Sequence, residues 1–401
     1  MRWSAEPLGN AITEAKAGFA CGEQAEDGVF QIRMNNITKE GALDLSKIRR
    51  VPRSRRNWET FQLRDGDVLF NATNSPDLVG KSAVFEASCE PIIFSNHFIR
   101  LRSDEKKLNS RFLTRWLQLM FQKQVFRNMC RQWVNQATVG RDALLALRIP
   151  LPPLGEQQRI ATVLDQTEAQ RAKRRETLAR LNELTQSIFL EMFGEVGSRG
   201  WAVTTVAEVA HTHQGSIRTG PFGSQLLHGE FVDSGVAVLG IDNVVSNEFK
   251  RMDSRFVTEA KYQELKRYTV RPGDVLITIM GTCGRCAVVP EGIPLAINTK
   301  HLCCITLDQD RSLPVFLHAY FLHHQLARRY LDRAAKGAIM SGLNMGIIKA
   351  MPVLLPPLAL QQEFAHRVEA IDTLRASQQA HLAELDTLFA SLQHRAFQGE
   401  L

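Results

Sequence analysis

No apolar run in this 401-residue chain approaches the ~20 residues that span a bilayer. The opening Met1-Arg2-Trp3-Ser4 starts no signal-peptide core. From both absences a cytoplasmic protein without a membrane partner is expected. The seven cysteines form an odd set without framework spacing, which predicts reduced thiols and no disulfide scaffold. Charge of one sign does not dominate: 49 Lys and Arg face 42 Asp and Glu, a net +7 that leans towards an acidic partner, nucleic acid first. Hydrophobic residues at 44% and charged residues at 23% describe a folded chain, and the length suits two or more domains.

Complete catalytic signatures are also lacking. Val79-Gly80-Lys81-Ser82 resembles the end of a phosphate-binding loop, but Ser75 stands where that loop needs its first glycine. Pro76-Asp77 with Glu105-Lys106-Lys107 imitates a nuclease pattern and reads equally as two solvated loops. Cys283, Cys286, His301 and Cys303 have tolerable zinc spacing, yet buried small thiols explain them more simply, so no metal is expected. No Asn-Pro-Pro-aromatic or Asp-Pro-Pro-aromatic tetrad is present, so the usual amino-methyltransferase site is missing. The chain is expected to be non-catalytic and to bind no cofactor itself.

What is there, above all, is a duplication. Ile149-Pro150-Leu151-Pro152-Pro153-Leu154 with Gln157-Gln158 recurs about 204 residues later as Met351-Pro352-Val353-Leu354-Leu355-Pro356-Pro357-Leu358 with Gln361-Gln362. Upstream, Leu63-Arg64-Asp65-Gly66-Asp67-Val68-Leu69 matches Val270-Arg271-Pro272-Gly273-Asp274-Val275-Leu276, and Gly80 to Val84 matches Gly284 to Val288. Each half therefore predicts a mixed domain followed by a long helix. Short β runs broken by Gly, Asn and Pro fall at Val29 to Met34, Val68 to Asn71 and Pro91 to Leu101, and at Val236 to Ile241, Val275 to Met280 and Leu302 to Leu307. Helices follow at about Arg111 to Arg131 and Pro314 to Ala335.

The long helices are expected from about Glu156 to Phe193 and Leu360 to Phe397. Their apolar stripes, with Ile160, Leu164, Leu178 and Leu181 in the first and Phe364, Val368, Leu385 and Leu388 in the second, predict an antiparallel coiled coil or a partner-binding surface. Packing of each helix on its own mixed domain is the simpler alternative. Arg171, Lys173, Arg174 and Arg175 fall mid-helix, where they suit DNA, a partner subunit or plain solvation.

Side chains able to contact DNA fall into two sets. The basic run Lys47, Arg49, Arg50, Arg53, Arg55 and Arg56 suits phosphates. Base reading needs donors and acceptors on positioned loops. The first half offers Arg33, Asn35, Asn74, Lys81, His97, Thr138 and Arg141. The second offers Arg218, Thr219, Ser224, Gln225, Asn243, Arg285, Lys300, His301, Ser341 and Asn344. Asn36 and Asn243, shared by both copies, also suit turns.

Ile149-Pro150-Leu151-Pro152-Pro153-Leu154 with Glu156-Gln157-Gln158-Arg159-Ile160, the two Gly-Asp-Val-Leu segments and Thr219-Gly220-Pro221-Phe222-Gly223-Ser224-Gln225-Leu226 together resemble the specificity subunit of type I restriction–modification systems, over essentially the whole chain. The resemblance implies an α+β architecture: two mixed α/β target-recognition domains in pseudo-twofold arrangement, separated by two long antiparallel helices forming a coiled coil. The expected divisions are residues 1–150 and 197–354 for the domains, 151–196 and 355–401 for the helices. It implies double-stranded DNA as a partner, read as a bipartite asymmetric target. Two modification subunits would carry S-adenosylmethionine and methylate adenine. Motor–nuclease restriction subunits would use ATP and Mg. Three rivals stay open: a chain with its own nuclease or methyltransferase site, a coiled-coil scaffold that binds only protein, and a specificity subunit of a methylation-only system.

Overall fold

The apolar runs are too short for helices and too continuous for half-solvated strands, so they need cover on both faces. The computed structural model describes residues 3–54, 57–133, 136–194, 200–251, 255–336 and 342–401. The chain divides into two compact units, residues 1–175 with 380–401 and residues 176–379.

In the first unit, Val68–Asn71 is buried at every position. It lies inside an antiparallel sheet ordered Ile12–Ala17, Phe98–Ser103, Val68–Asn71, Ser82–Val84. Alternate residues serve two cores. Val68 and Phe70 pack with Phe112 and Trp116 of the helix Ser110–Gln122. Leu69 packs with Phe30, Ile32 and Phe94 of a second sheet, in which Val29–Ile32 runs parallel to Ile92–Phe94 and antiparallel to Arg50–Val51.

The second unit repeats this plan. Its first sheet is ordered Ile217–Thr219, Leu302–Ile305, Val275–Thr278, Cys286–Val288. Val275 and Ile277 pack with Phe316, while Leu276 joins Ala237 and Leu239 of the second sheet. There Val236–Leu239 runs parallel to Ala296–Asn298.

The structure departs from the expected elements in two places. The run Pro91 to Leu101 is two strands in two sheets, Ile92–Phe94 and Phe98–Ser103, because the turn at 95–97 redirects the chain. Each post-sheet helix is broken in two. Gln124 stops Ser110–Gln122 before Val125–Met129 by taking φ 60°, and His324, at ψ 132°, separates Pro314–His323 from Gln325–Lys336. Neither break carries Gly or Pro, so neither was marked in the sequence.

Each domain is closed by its ends. Ala5–Pro7 pairs with Arg148–Pro150, and Ala202–Thr205 with Pro352–Leu355. The Pro-Pro element ends that last strand, and the long helix begins at once: Leu154–Phe193 in the first copy, Leu358–Gln398 in the second. One buried amide fixes the corner. Gln157 accepts from the Asn109 backbone N–H at 2.8 Å and donates to the Lys107 and Pro152 carbonyls, each at 2.8 Å. Gln361 repeats all three bonds, to Leu313, Arg311 and Pro356, at 2.9, 3.1 and 3.0 Å.

Within the first unit, residues 154–175 of the first long helix meet residues 380–398 of the second. Ile160 and Leu164 enter the same core as Phe389 and Phe397, and the Phe397 ring lies 5.2 Å from that of Phe112. Arg171 pairs with Glu168 and with Asp386 at 2.7 Å, and stacks 4.4 Å over Phe389, while Arg159 reaches the Leu401 carbonyl. Within the second unit, Phe364 sits 5.7 and 5.6 Å from Phe189 and Phe193, and Val368 shares their core. The apolar stripe fades away from the domains: Leu178, Leu181 and Leu385 are half-buried and Leu388 is 48% exposed. The Glu168–Arg171–Arg175–Asp386 network occupies the gap in the apolar stripe between Leu164 and Leu178. Among the described residues no helix is long and apolar enough to cross a membrane.

Gln158, next to the buried Gln157, is exposed and makes an internal control. Gln157→Ala should lower unfolding free energy by about 2–4 kcal/mol through three unsatisfied backbone groups. Gln158→Ala should stay within about 0.5 kcal/mol. Equal shifts of the two variants in denaturant unfolding would contradict the assigned role.

Candidate nucleic-acid interface

Both domains present their variable loops on a shared polar frame. In the Leu-Arg-Asp-Gly-Asp turn, Gly66 takes φ 80° and the buried Asp67 carboxylate accepts from the Arg64 N–H at 2.9 Å. Gly273 takes φ 82°, and Asp274 accepts from the Arg271 N–H at 2.9 Å. A buried carboxylate needs a counter-charge. Asp67 finds it in Arg102 at 2.7 Å, from the strand Phe98–Ser103, whereas Asp274 finds it in Arg218 at 2.7 Å, from Ile217–Thr219. Asn36 and Asn243 are the second shared device: each is fully buried and accepts from the N–H three residues earlier, Arg33 at 2.9 Å and Gly240 at 2.8 Å.

This frame takes several residues out of the expected DNA-facing set. Asn243 is buried and bonded to the Lys250 carbonyl. Arg218 is held by Asp274, the Thr269 carbonyl at 2.6 Å and Thr306 at 3.0 Å. Lys81 is 7% exposed and donates to the carbonyls of Met34 and Ile37, which anchors the loop between them. Burial, with nearby Lys39, holds its pKa below the usual lysine range. The basic run also divides. Arg49 donates to the Cys21 carbonyl at 2.8 Å and Arg50 forms a bidentate pair with Glu90 at 2.7 and 3.0 Å. Arg53 and Lys47 stay exposed, Arg53 lying 5.6 Å over the Trp58 ring. Arg55, Arg56 and Ser341 lie outside the described residues.

The remaining candidates gather at comparable places. In the first unit, Asn74 pairs across the sheet with Ala137, Thr138 meets Thr73 hydroxyl to hydroxyl at 3.2 Å, and the His97 carbonyl accepts from Thr73 at 3.1 Å. Asn74, Thr138 and His97 therefore share one edge, with Asn74 tied to Asn71 at 2.6 Å. In the second unit, Lys300 and His301 lead into Leu302–Ile305, as Asn96 and His97 lead into Phe98–Ser103. Thr219 lies alongside, opposite Cys303. Gly220 allows the close approach: a Cβ there would sit 2.0 Å from the Asn298 carbonyl oxygen. Ser224 and Gln225 follow on an exposed loop whose Gln225 side chain accepts from the Phe222 N–H at 3.2 Å and the Tyr268 hydroxyl at 2.9 Å. Asn35, Arg141, Arg285 and Lys300 are exposed, and Arg33 and His301 half-buried. These lie scattered over their units. Asn344 is exposed but caps the short helix Met345–Lys349, accepting from Ile347 at 2.9 Å.

The residues that imitated chemistry have other partners. Asp77 pairs with Arg127 at 2.8 Å. Cys286, Cys303 and Cys304 are buried, and burial pushes all three thiols up, that of Cys303 to about 12, away from the thiolate that metals bind. Among the described residues no three His, Cys, Asp or Glu side chains come together as a metal set. Sequence reasoning missed the buried Gln157 and Gln361, whose signal was their exact repetition beside Pro-Pro. It also missed the exposed Phe222, flanked by two glycines and a proline.

A twice-repeated frame carrying different polar loops defines a duplicated recognition protein without a metal centre among its described residues. The family model described as "Type I restriction modification DNA specificity domain" matches residues 49–185 and 199–387. The chain belongs to this family and is a DNA specificity subunit of a type I restriction–modification system. Among relatives, the EcoKI specificity subunit of Escherichia coli strain K12 is 24% identical over 431 residues, covering 100% of this chain and 89% of that protein. The Escherichia coli EcoBI specificity subunit is 24% identical over 361 residues, covering 81% and 73%. The crystal structure of the type I system S subunit from M. genitalium shares the fold at TM-score 0.61 and 14% identity, covering 99% of this chain and 96% of that one.

Replacing Lys81 by Ala should cost about 1–3 kcal/mol of stability by orphaning two backbone carbonyls. Calorimetry on the folded variant should show DNA affinity within about threefold of the parent. An unchanged melting transition with lost DNA binding would make Lys81 a ligand after all.

Proposed function

We propose that the chain reads a split, asymmetric DNA target, one half with each unit, and that its long helices set the gap and dock the modification subunits. The observation that carries this reading is one strand frame used twice with unlike loops. Among the described residues, the first unit carries the hairpin Arg131–Trp133 with Gln136–Thr138, and the second carries the α-helix Glu259–Leu265 where the first has only the short turn Trp58–Phe61. Identical frames would hold DNA in the same manner, and unlike loops would demand unlike half-sites.

In this reading the helices form an antiparallel coiled coil that relates the two domains by pseudo-twofold symmetry, matching the local dyads of the duplex. The opposed run of contacts in the first unit, Arg159 with Leu401 and Arg171 with Asp386, supports it. Two modification subunits supply S-adenosylmethionine and adenine methylation. Restriction subunits, where the system has them, supply ATP-dependent, Mg-dependent cleavage. The chain works in the cytoplasm, beside the DNA, and performs no chemistry itself.

Purified chain should transfer no labelled methyl group from S-adenosylmethionine to DNA, and adding the modification subunit should bring adenine methylation at one bipartite motif. Transfer by the chain alone, or methylation at a single uninterrupted motif, would contradict the proposal.

A further inference from the structure

Most arginines whose contacts define the first unit are neutralised: Arg50 by Glu90, Arg102 by Asp67 and Glu14, Arg111 by Glu86 and Asp165. One concave surface of the second unit departs from that habit. A groove of about 440 Å³ is lined by His213, Arg218, Lys266, Arg267, Tyr268 and Arg271, with no carboxylate in its lining. Arg218 forms its floor, fixed by the buried Asp274. Lys266, Arg267 and Arg271 are exposed above it. Among the described residues none of the three forms a salt bridge, and Arg267 only stacks 4.7 Å from the Tyr268 ring. Three cations gathered within six residues repel one another, so an anion filling the groove would relieve the repulsion.

The neighbourhood identifies the anion. The Tyr268 hydroxyl donates to Gln225, which places the loop 222–225 next to the groove. That loop is held in shape by the Gln225–Phe222 bond and carries Phe222 at 48% exposed and Ser224. Cations beside a fixed, exposed aromatic ring suit a chain that alternates phosphates with flat bases, rather than a lone inorganic anion. The first unit has the matching turn with less of the charge: Arg64 stands where the second has Arg271, and Lys16 lies on the strand that corresponds to Arg218's. Around its matching turn, Glu59 and Thr60 stand where the second has Lys266 and Arg267, and Lys16 donates to the Thr60 carbonyl at 3.3 Å and lies 4.6 Å over Phe61.

We propose that this groove is a phosphodiester-binding site through which the second unit clamps the DNA backbone beside its half-site, with Lys266 and Arg267 adding charge that the matching turn of the first unit lacks. The proposal rests on the split-target reading above. The test uses the complex assembled with modification subunits and the triple variant Lys266→Gln, Arg267→Gln, Arg271→Gln. The log–log dependence of DNA affinity on salt should flatten by about two to three units, near one per lost phosphate contact. The methylated motif and the assembly should be unchanged. As a converse variant, Glu59→Lys with Thr60→Arg should steepen the slope by about one to two units. An unchanged slope in the triple variant overturns the site. So does lost assembly with retained DNA affinity, which would make the groove a docking surface for an acidic protein, or a changed motif, which would make these residues base readers. Titrating nonspecific DNA reads the slope independently, so absence of sequence-specific binding by the parent complex would count against the split-target reading and not against the groove.

Discussion

Everything functional in this chain depends on a buried amide at the corner between domain and helix. Gln157 and Gln361 each close three backbone bonds that would otherwise be orphaned where a strand, a helix start and a Pro-Pro turn converge. The amide is suited to this place because it accepts with its oxygen and donates twice with its nitrogen, and both carbonyls and the N–H are backbone groups no side-chain change can remove. The direction in which each long helix leaves its domain is therefore fixed by main-chain geometry and not by the loops, so loops can change without moving the helix.

The same separation is visible inside each domain. The strands, the Gly-Asp turn and the buried asparagine are common to both copies, while charge is free to migrate across the frame. The counter-charge of the turn aspartate comes from Arg102 on one strand in the first unit and from Arg218 on another in the second. A frame that tolerates such exchange keeps its fold while its surface diverges. That divergence is what two different half-sites require.

The duplication made most of the frame legible in the sequence: both long helices and the Pro-Pro corner recur about 204 residues on, and the central strands about 207. Elements broken without Gly or Pro, at Gln124 and His324, left no mark. The internal partners of candidate interface residues were not legible, and for a consistent physical reason. An Arg, Lys or Asn in a loop carries the same letter whether it faces solvent or a partner distant in sequence. Asp274 lies 56 positions from Arg218, and the carbonyls that hold Lys81 lie 44 and 47 positions away. Arg49 and Arg50 belonged to an evident basic run and still proved to be internal ties. The Lys266, Arg267 and Arg271 groove escaped notice because its floor, Arg218, lies far off in sequence and joins those cations only through the fold.

The central claim is that reading and measuring are separate functions of separate parts. Inserting about four residues between Glu168 and Thr177 lengthens the first long helix by ~6 Å and turns it by ~400°, which nearly preserves the apolar face. At ~3.4 Å per base pair the gap should grow by just under two base pairs. The decisive measurement is the genome-wide methylated motif of an insertion variant that retains activity. The account predicts both half-sites unchanged around a spacer longer by about two base pairs. The original spacer, or altered half-sites, would contradict it.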